Sequence, residues 1–178
     1  MWLVLFLLAA ADLAGILQSL DNPATRAAAQ RSLIALAESG DPSARLEAAL
    51  RSRKGELPAL PAARATRWFA QALKARIPLA CLEQAKIEID ARKNPEPMLR
   101  CAAQARIPES RYLLGRLLLN RSAAEDEPQR FEGLALLALS AKAGYAPALR
   151  RWDLLLDDLT AEDIERVEQT ANRLDFGQ

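Results

Sequence analysis

The amino-acid sequence predicts an all-α protein, a right-handed α-α superhelix built as a solenoid of antiparallel helix pairs. Three observations carry the expectation. The 178 residues are 51% hydrophobic but 5% aromatic, with Ala and Leu dominant and seven Gly; Ala and Leu lose least on entering a helix. Proline recurs at Pro23, Pro42, Pro78, Pro108, Pro128 and Pro147, each beside a helix start, where its missing N–H costs nothing. One short phrase repeats at a period in the thirties, as in stacked helix hairpins.

The first twenty residues, MWLVLFLLAAADLAGILQSL, open with an unbroken apolar run from Trp2 to Leu8. Ala9-Ala10-Ala11 reads as a secretory cleavage site, with Asp12 beginning the mature chain. Residues 1–11 are therefore expected to be a signal peptide or hydrophobic leader, and 12–178 the repeat domain. The run falls short of the about 20 apolar residues that span a bilayer, and no second hydrophobic span follows. The segment before the run has no Lys or Arg, so a buried first helix and an uncleaved anchor stay open as alternatives.

Beyond the leader the helices follow in order. Asn22-Pro23 opens one to about Ser39, and Asp41-Pro42 the next to about Lys54. Residues 55–63, GELPALPAA, form a loop. Helices are then expected near Arg64 to Ala75, Pro78 to Ala91, Glu96 to Ala105, Pro108 to Asn120, Pro128 to Ala143 and Pro147 to Asp158. Residues 121–128, RSAAEDEP, form the second long loop. Thr160-Ala161-Glu162-Asp163 reads as a capping box. It opens a polar last helix, the cap a solenoid needs.

The recurring phrase is ALAESGDPSARL at 35–46, QALKARIPLACL at 71–82, AAQARIPESRYL at 102–113 and SAKAGYAPALRR at 140–151. In each, Gly or Arg precedes Ala or Ser by four: Gly40 and Ala44, Arg76 and Ala80, Arg106 and Ser110, Gly144 and Ala148. Five residues later a small residue returns at Ala49, Ala85 and Gly115, whereas the fourth copy has Asp153. Small residues at fixed offsets suit helices that approach closely. Gly40 and Gly144 suit helix ends that need positive φ. Arg76 and Arg106 do not, so those turns are expected to be built differently.

The phrase resembles the Sel-one-like repeat, a cousin of the tetratricopeptide repeat. Ser110-Arg111-Tyr112-Leu113-Leu114-Gly115 is similar to the family's first helix, and Ser140-Ala141-Lys142-Ala143-Gly144 to the end of its second. Ala102-Ala103-Gln104-Ala105-Arg106 also follows that end, with Arg for Gly. The resemblance covers about residues 31–158 in about four degenerate copies. It implies binding of another protein or peptide in a concave groove, often in secreted or periplasmic assemblies and signalling scaffolds. By the tetratricopeptide arrangement, the groove residues would be Leu46, Leu50 and Lys54; Leu82, Lys86 and Asp90; and Tyr112, Arg116 and Asn120. They mix apolar anchors with cations, which suits an extended peptide or a helix with acidic residues. The same Leu could equally be core.

Cys81 and Cys101 are the two cysteines. Exported members of the family can staple neighbouring helices through paired cysteines. A hairpin turning near Asn94 would leave these two about 9 Å apart in height, beyond a disulfide's reach, so two small buried side chains are favoured. A turn centred near Ala91 would reverse this.

The chain has no histidine, which removes the commonest general base and metal ligand together. Two cysteines cannot complete a zinc site alone. No metal and no cofactor is expected. Acidic clusters stand at Glu125-Asp126-Glu127 and Asp157-Asp158, where solvated loop positions are favoured over a site. The net charge of +1 gives no broad attraction to nucleic acid or anionic lipid. The expected function is an exported, periplasmic interaction module or scaffold rather than an enzyme. The alternatives are a cell-envelope hydrolase using paired carboxylates, a nucleic-acid-binding helical repeat, and a cytoplasmic or membrane-anchored adaptor if the leader stays.

Overall fold

A computed structural model of the chain describes residues 12–122 and 127–176. The leader assigned to residues 1–11 and the loop acids Glu125 and Asp126 lie outside them. The fold is all-α: among the described residues there are ten helices and no strand. They group into two compact units, one ending at Ala75 and the other beginning at Arg76.

The first unit holds α1 (Leu13–Asp21), α2 (Arg26–Glu38), α3 (Pro42–Arg53) and α4 (Ala62–Lys74), each packed on the next. Asp12 starts α1 by accepting from the amide of Ala14, and Ile16 and Leu20 turn inward. The sequence opens its first helix at Pro23, but α2 begins three residues later. The Asn22 side chain accepts from the Ala24 amide, and the Thr25 hydroxyl donates to the Ser19 carbonyl at 2.7 Å. These bonds hold residues 22–25 in a turn, because a short polar side chain offers the backbone an alternative to the helix. Asp41 caps α3 as expected, accepting from the Ala44 amide at 2.6 Å. The loop after α3 buries Leu57 and Leu60 and is tied to α2 by Gln30 donating to the Glu56 carbonyl.

The second unit holds α5 (Pro78–Asp90), α6 (Glu96–Gln104), α7 (Pro108–Arg121), α8 (Glu127–Lys142), α9 (Ala146–Leu156) and α10 (Ala161–Phe176). Successive helices pack from α5 to α9, and α10 returns to lie on α8. The capping box forms: Thr160 and Asp163 exchange side-chain-to-amide hydrogen bonds. The Thr160 amide first, and then the Thr160 hydroxyl, both donating to the Asp163 carboxylate, hold its pKa below the ordinary value. At the far end of α10, Arg111 of α7 is 7% exposed and pairs with Asp175 at 2.5 Å.

The repeat phrase marks the core. Ala44, Ala80, Ser110 and Ala148 are all 0% exposed, as are Ala49 and Ala85. Gly115 is buried where α7 crosses α8, facing Gly133, whose carbonyl oxygen stands 2.8 Å from where a Gly115 Cβ would lie.

Two expectations are corrected. The turns at Arg76 and Arg106 are built like those at the glycines: Arg76 has φ 54° and Arg106 φ 60°, beside Gly40 at 112° and Gly144 at 81°. Arg106 and Gly144 even make the same amide bond to the carbonyl three residues back. Arg92, after α5, repeats the geometry at φ 54°. Helix termination at these points outweighs the local cost of a left-handed L-residue, about 1 kcal/mol each. Arg76→Gly and Arg92→Gly should each therefore raise stability by about 1 kcal/mol, read as a higher urea midpoint; an unchanged or lower midpoint would refute the strain.

The cysteines are also bonded. Cys81 of α5 and Cys101 of α6 form a disulfide with Cα atoms 6.0 Å apart, within the ordinary range. Helix α5 stops at Asp90, and the chain reverses at Ala91 and Arg92, where Arg92 has φ 54°, rather than near Asn94. This is the turn near Ala91 that reverses the expectation, because Cys81 and Cys101 stand equally far from it in sequence and so come level on the paired helices.

Candidate partner-binding face

In the second unit, the first helices of successive pairs, α5, α7 and α9, are bridged directly by side chains. Each turns its small residues inward (Ala80 and Ala85, Ser110 and Gly115, Ala148), so the next residue round sits on the open side. On α5 that residue is Lys86. Its ammonium bonds Glu83 at 2.9 Å on its own helix and Glu109 of α7 at 3.0 Å. Burial alone would lower the Lys86 pKa; hydrogen bonds to the two carboxylates outweigh it and raise the pKa.

On α7, Tyr112 stacks against Tyr145, the residue capping α9, with ring centroids 5.4 Å apart and planes tilted by 60°. Such tilted pairs are favoured by the ring quadrupoles. Burial, then the nearby Glu109 carboxylate, pushes the Tyr145 phenol up from its ordinary pKa. One turn along α7, the Arg116 guanidinium lies over the Tyr112 ring, 5.4 Å from its centroid, in cation–π contact. Arg116 and Arg151 of α9 line a cavity of about 380 Å³ with Tyr112, Leu119 and Asn120.

The structure thus brings Lys86, Tyr112, Arg116 and Asn120 onto one surface of the second unit. Asp90 is exposed at the last residue of α5. Leu82 is 2% exposed and packs with Cys81, Cys101 and Ala102, so it presents nothing to a partner. In the first unit, Leu46 is 3% exposed and belongs to the core, Leu50 is half-buried and Lys54 is exposed at the end of α3.

Sequence reasoning missed Glu109, Tyr145, Arg151 and Leu154. Leu154 stands one residue after Asp153, as Arg116 follows Gly115 and Lys86 follows Ala85. Among the described residues it is the most exposed large apolar side chain, at 66%. Asp153 in place of the small residue hid the correspondence.

Among the described residues, the acids singled out in the sequence do not converge. Glu127 pairs with Arg166 of α10, and Asp157 and Asp158 are exposed beyond α9. Among the described residues no group of three His, Cys, Asp or Glu is placed to hold a metal ion, and no helix is long and apolar enough to cross a membrane. Trp68 lies in the core of the first unit, and Trp152 packs beside Phe131, Leu134 and Val167.

In class, the chain is an all-α protein of successive helix hairpins carrying a mixed aromatic and cationic face. No family model matches it, and no curated protein matches it.

Proposed function

We propose that the chain is an exported protein-interaction module of the Sel-one-like kind, its hairpins wound as a right-handed solenoid, which holds a partner protein or peptide and performs no chemistry of its own. The observation that carries this reading is the α5–α7–α9 face. Three consecutive first helices, joined by the Lys86–Glu109 ion pair and the Tyr112–Tyr145 contact, present a continuous row of Lys, Tyr and Arg. Aromatic and Arg side chains are the residue types that dominate binding energy at interfaces. A histidine-free sequence lacks the commonest acid-base catalyst. The apolar leader with its Ala9-Ala10-Ala11 site supports export. So does the Cys81–Cys101 disulfide, because such bonds persist in oxidising compartments such as the periplasm.

The test is site-specific photocross-linking in living cells, with the reactive residue at position 112 or, as control, at the exposed Glu165 of α10. Position 112 should give a discrete protein adduct and position 165 none. No adduct at 112, or equal adducts at both, would overturn the reading.

A further inference from the structure

Resting on that reading, we infer that the α7–α9 part of the face takes an acidic side chain flanked by a large apolar one, supplied by an acidic segment of the partner protein. The charge pattern of the second unit points there. Many of its cations are matched: Arg100 with Glu96 and Glu132, Arg111 with Asp175, Arg121 with Glu96, Arg130 with Asp163, Arg166 with Glu127, and Lys86 with Glu83 and Glu109; Arg76, Arg92, Lys93, Lys142, Arg150 and Arg173 have no ion pair among the described residues. Arg116 and Arg151 have no ion pair among the described residues, yet they line the same cavity, whose lining contains no carboxylate. Two unmatched guanidiniums at one cavity leave a local positive potential for an anion to neutralise.

The geometry favours a carboxylate. A guanidinium's planar fork matches a carboxylate with two parallel bonds. Arg116 is already held over the Tyr112 ring, so less side-chain freedom is lost on binding. The Asn120 amide in the same lining adds a neutral donor.

Leu154 decides between a free anion and a peptide. It lies three residues beyond Arg151, on the same side of α9, and is 66% exposed. A free anion leaves Leu154 bare; a peptide with a large apolar residue next to its acid covers it. Two cations do not make the basic stripe that nucleic acid requires.

The test titrates the full chain with end-capped, labelled peptides of about twelve residues, read by fluorescence anisotropy. One carries Glu-Leu pairs in a Gly/Ser background; the others carry Gln-Leu, Lys-Leu or Glu-Ser pairs. Glu-Leu should bind at least about tenfold more tightly than each of the others. Arg116→Gln, Arg151→Gln and Leu154→Ser should each weaken it by about tenfold, while Arg173→Gln on α10 leaves it unchanged. Raising salt from about 50 to about 300 mM should weaken Glu-Leu but not Gln-Leu binding. Equal binding of Gln-Leu, no Glu-Leu binding at about 1 mM, unaffected Arg variants, or preferential capture by phosphatidylglycerol vesicles would each overturn the assignment. A Gln-Leu peptide that binds as well and is lost on Tyr112→Ala would sink this inference but leave the partner-binding face standing. The cross-link at position 112 tests that face independently.

Discussion

Gly115→Ala should destabilise the protein by about 2 kcal/mol, although the same change at an ordinary helical site gains about 1 kcal/mol. The reversal comes from the crossing of α7 and α8. A Cβ on Gly115 would stand 2.8 Å from the carbonyl oxygen of Gly133, 3.1 Å from Leu137 Cγ and 3.2 Å from the Leu137 amide nitrogen. Two of these three obstacles are backbone, which cannot rotate away; relief requires the helices to separate. Separation would loosen Leu114, Leu118 and Leu136, all in one core cluster. It would also strain the hydrogen bond from the buried Ser140 hydroxyl to the Pro108 carbonyl, 2.7 Å long. Gly133→Ala should cost less. Its Cβ would meet the Leu119 side chain at 2.9 Å, which a half-buried leucine can relieve by changing rotamer, and one backbone atom, the Gly115 carbonyl oxygen, at the looser 3.1 Å. Urea denaturation followed by circular dichroism should therefore rank wild type first, Gly133→Ala next and Gly115→Ala last. A Gly115→Ala midpoint at or above wild type would show that the helices do not cross this closely.

Half of this crossing is legible in the sequence. Gly115 falls in a column with Ala49 and Ala85, and a column of small residues announces close packing. Gly133 belongs to no such column, and only the paired helices reveal it. The same division runs through the molecule. Helix starts at Pro42, Pro78 and Pro108 appear where proline places them, because proline acts through local sterics alone. The left-handed Arg76, Arg92 and Arg106 are illegible: arginine signals no positive φ, and tertiary packing of the following helix imposes it. Helix α1 is hard to read in the sequence because it follows a leader-like apolar run with only Asp12 to mark its start. On the candidate face, Lys86, Tyr112 and Arg116 follow from helical phase, whereas Tyr145 and Arg151 come from a fourth copy whose Asp153 breaks the pattern. Leu46 and Leu82 satisfy the same phase rule but lie in the core. Spacing specifies which side of a helix a residue is on, while the neighbouring helices decide how much of that side is covered.

The second large effect concerns Cys81 and Cys101. Removing the bond by Cys81→Ser with Cys101→Ser should lower stability by about 3 kcal/mol, the loop-closure entropy of a cross-link spanning about 20 residues. The staple joins α5 to α6, beneath the face that carries Lys86, and α6 is a short helix of nine residues. Short helices are marginal without tertiary support, so α6 should be the first element to fray once the bond is gone. Both cysteines are buried, Cys81 at 1% and Cys101 at 5% exposure. A reductant must therefore wait for local opening: reduction should be slow in the native protein and fast in denaturant. Alkylation under denaturing conditions, with mass spectrometry, checks the bond directly: the full chain purified without reductant should take up no label at either cysteine, and two labels after reduction. Labelling of both cysteines before reduction would remove the staple. It would also remove the structural support for an oxidising compartment, leaving export to rest on the leader alone.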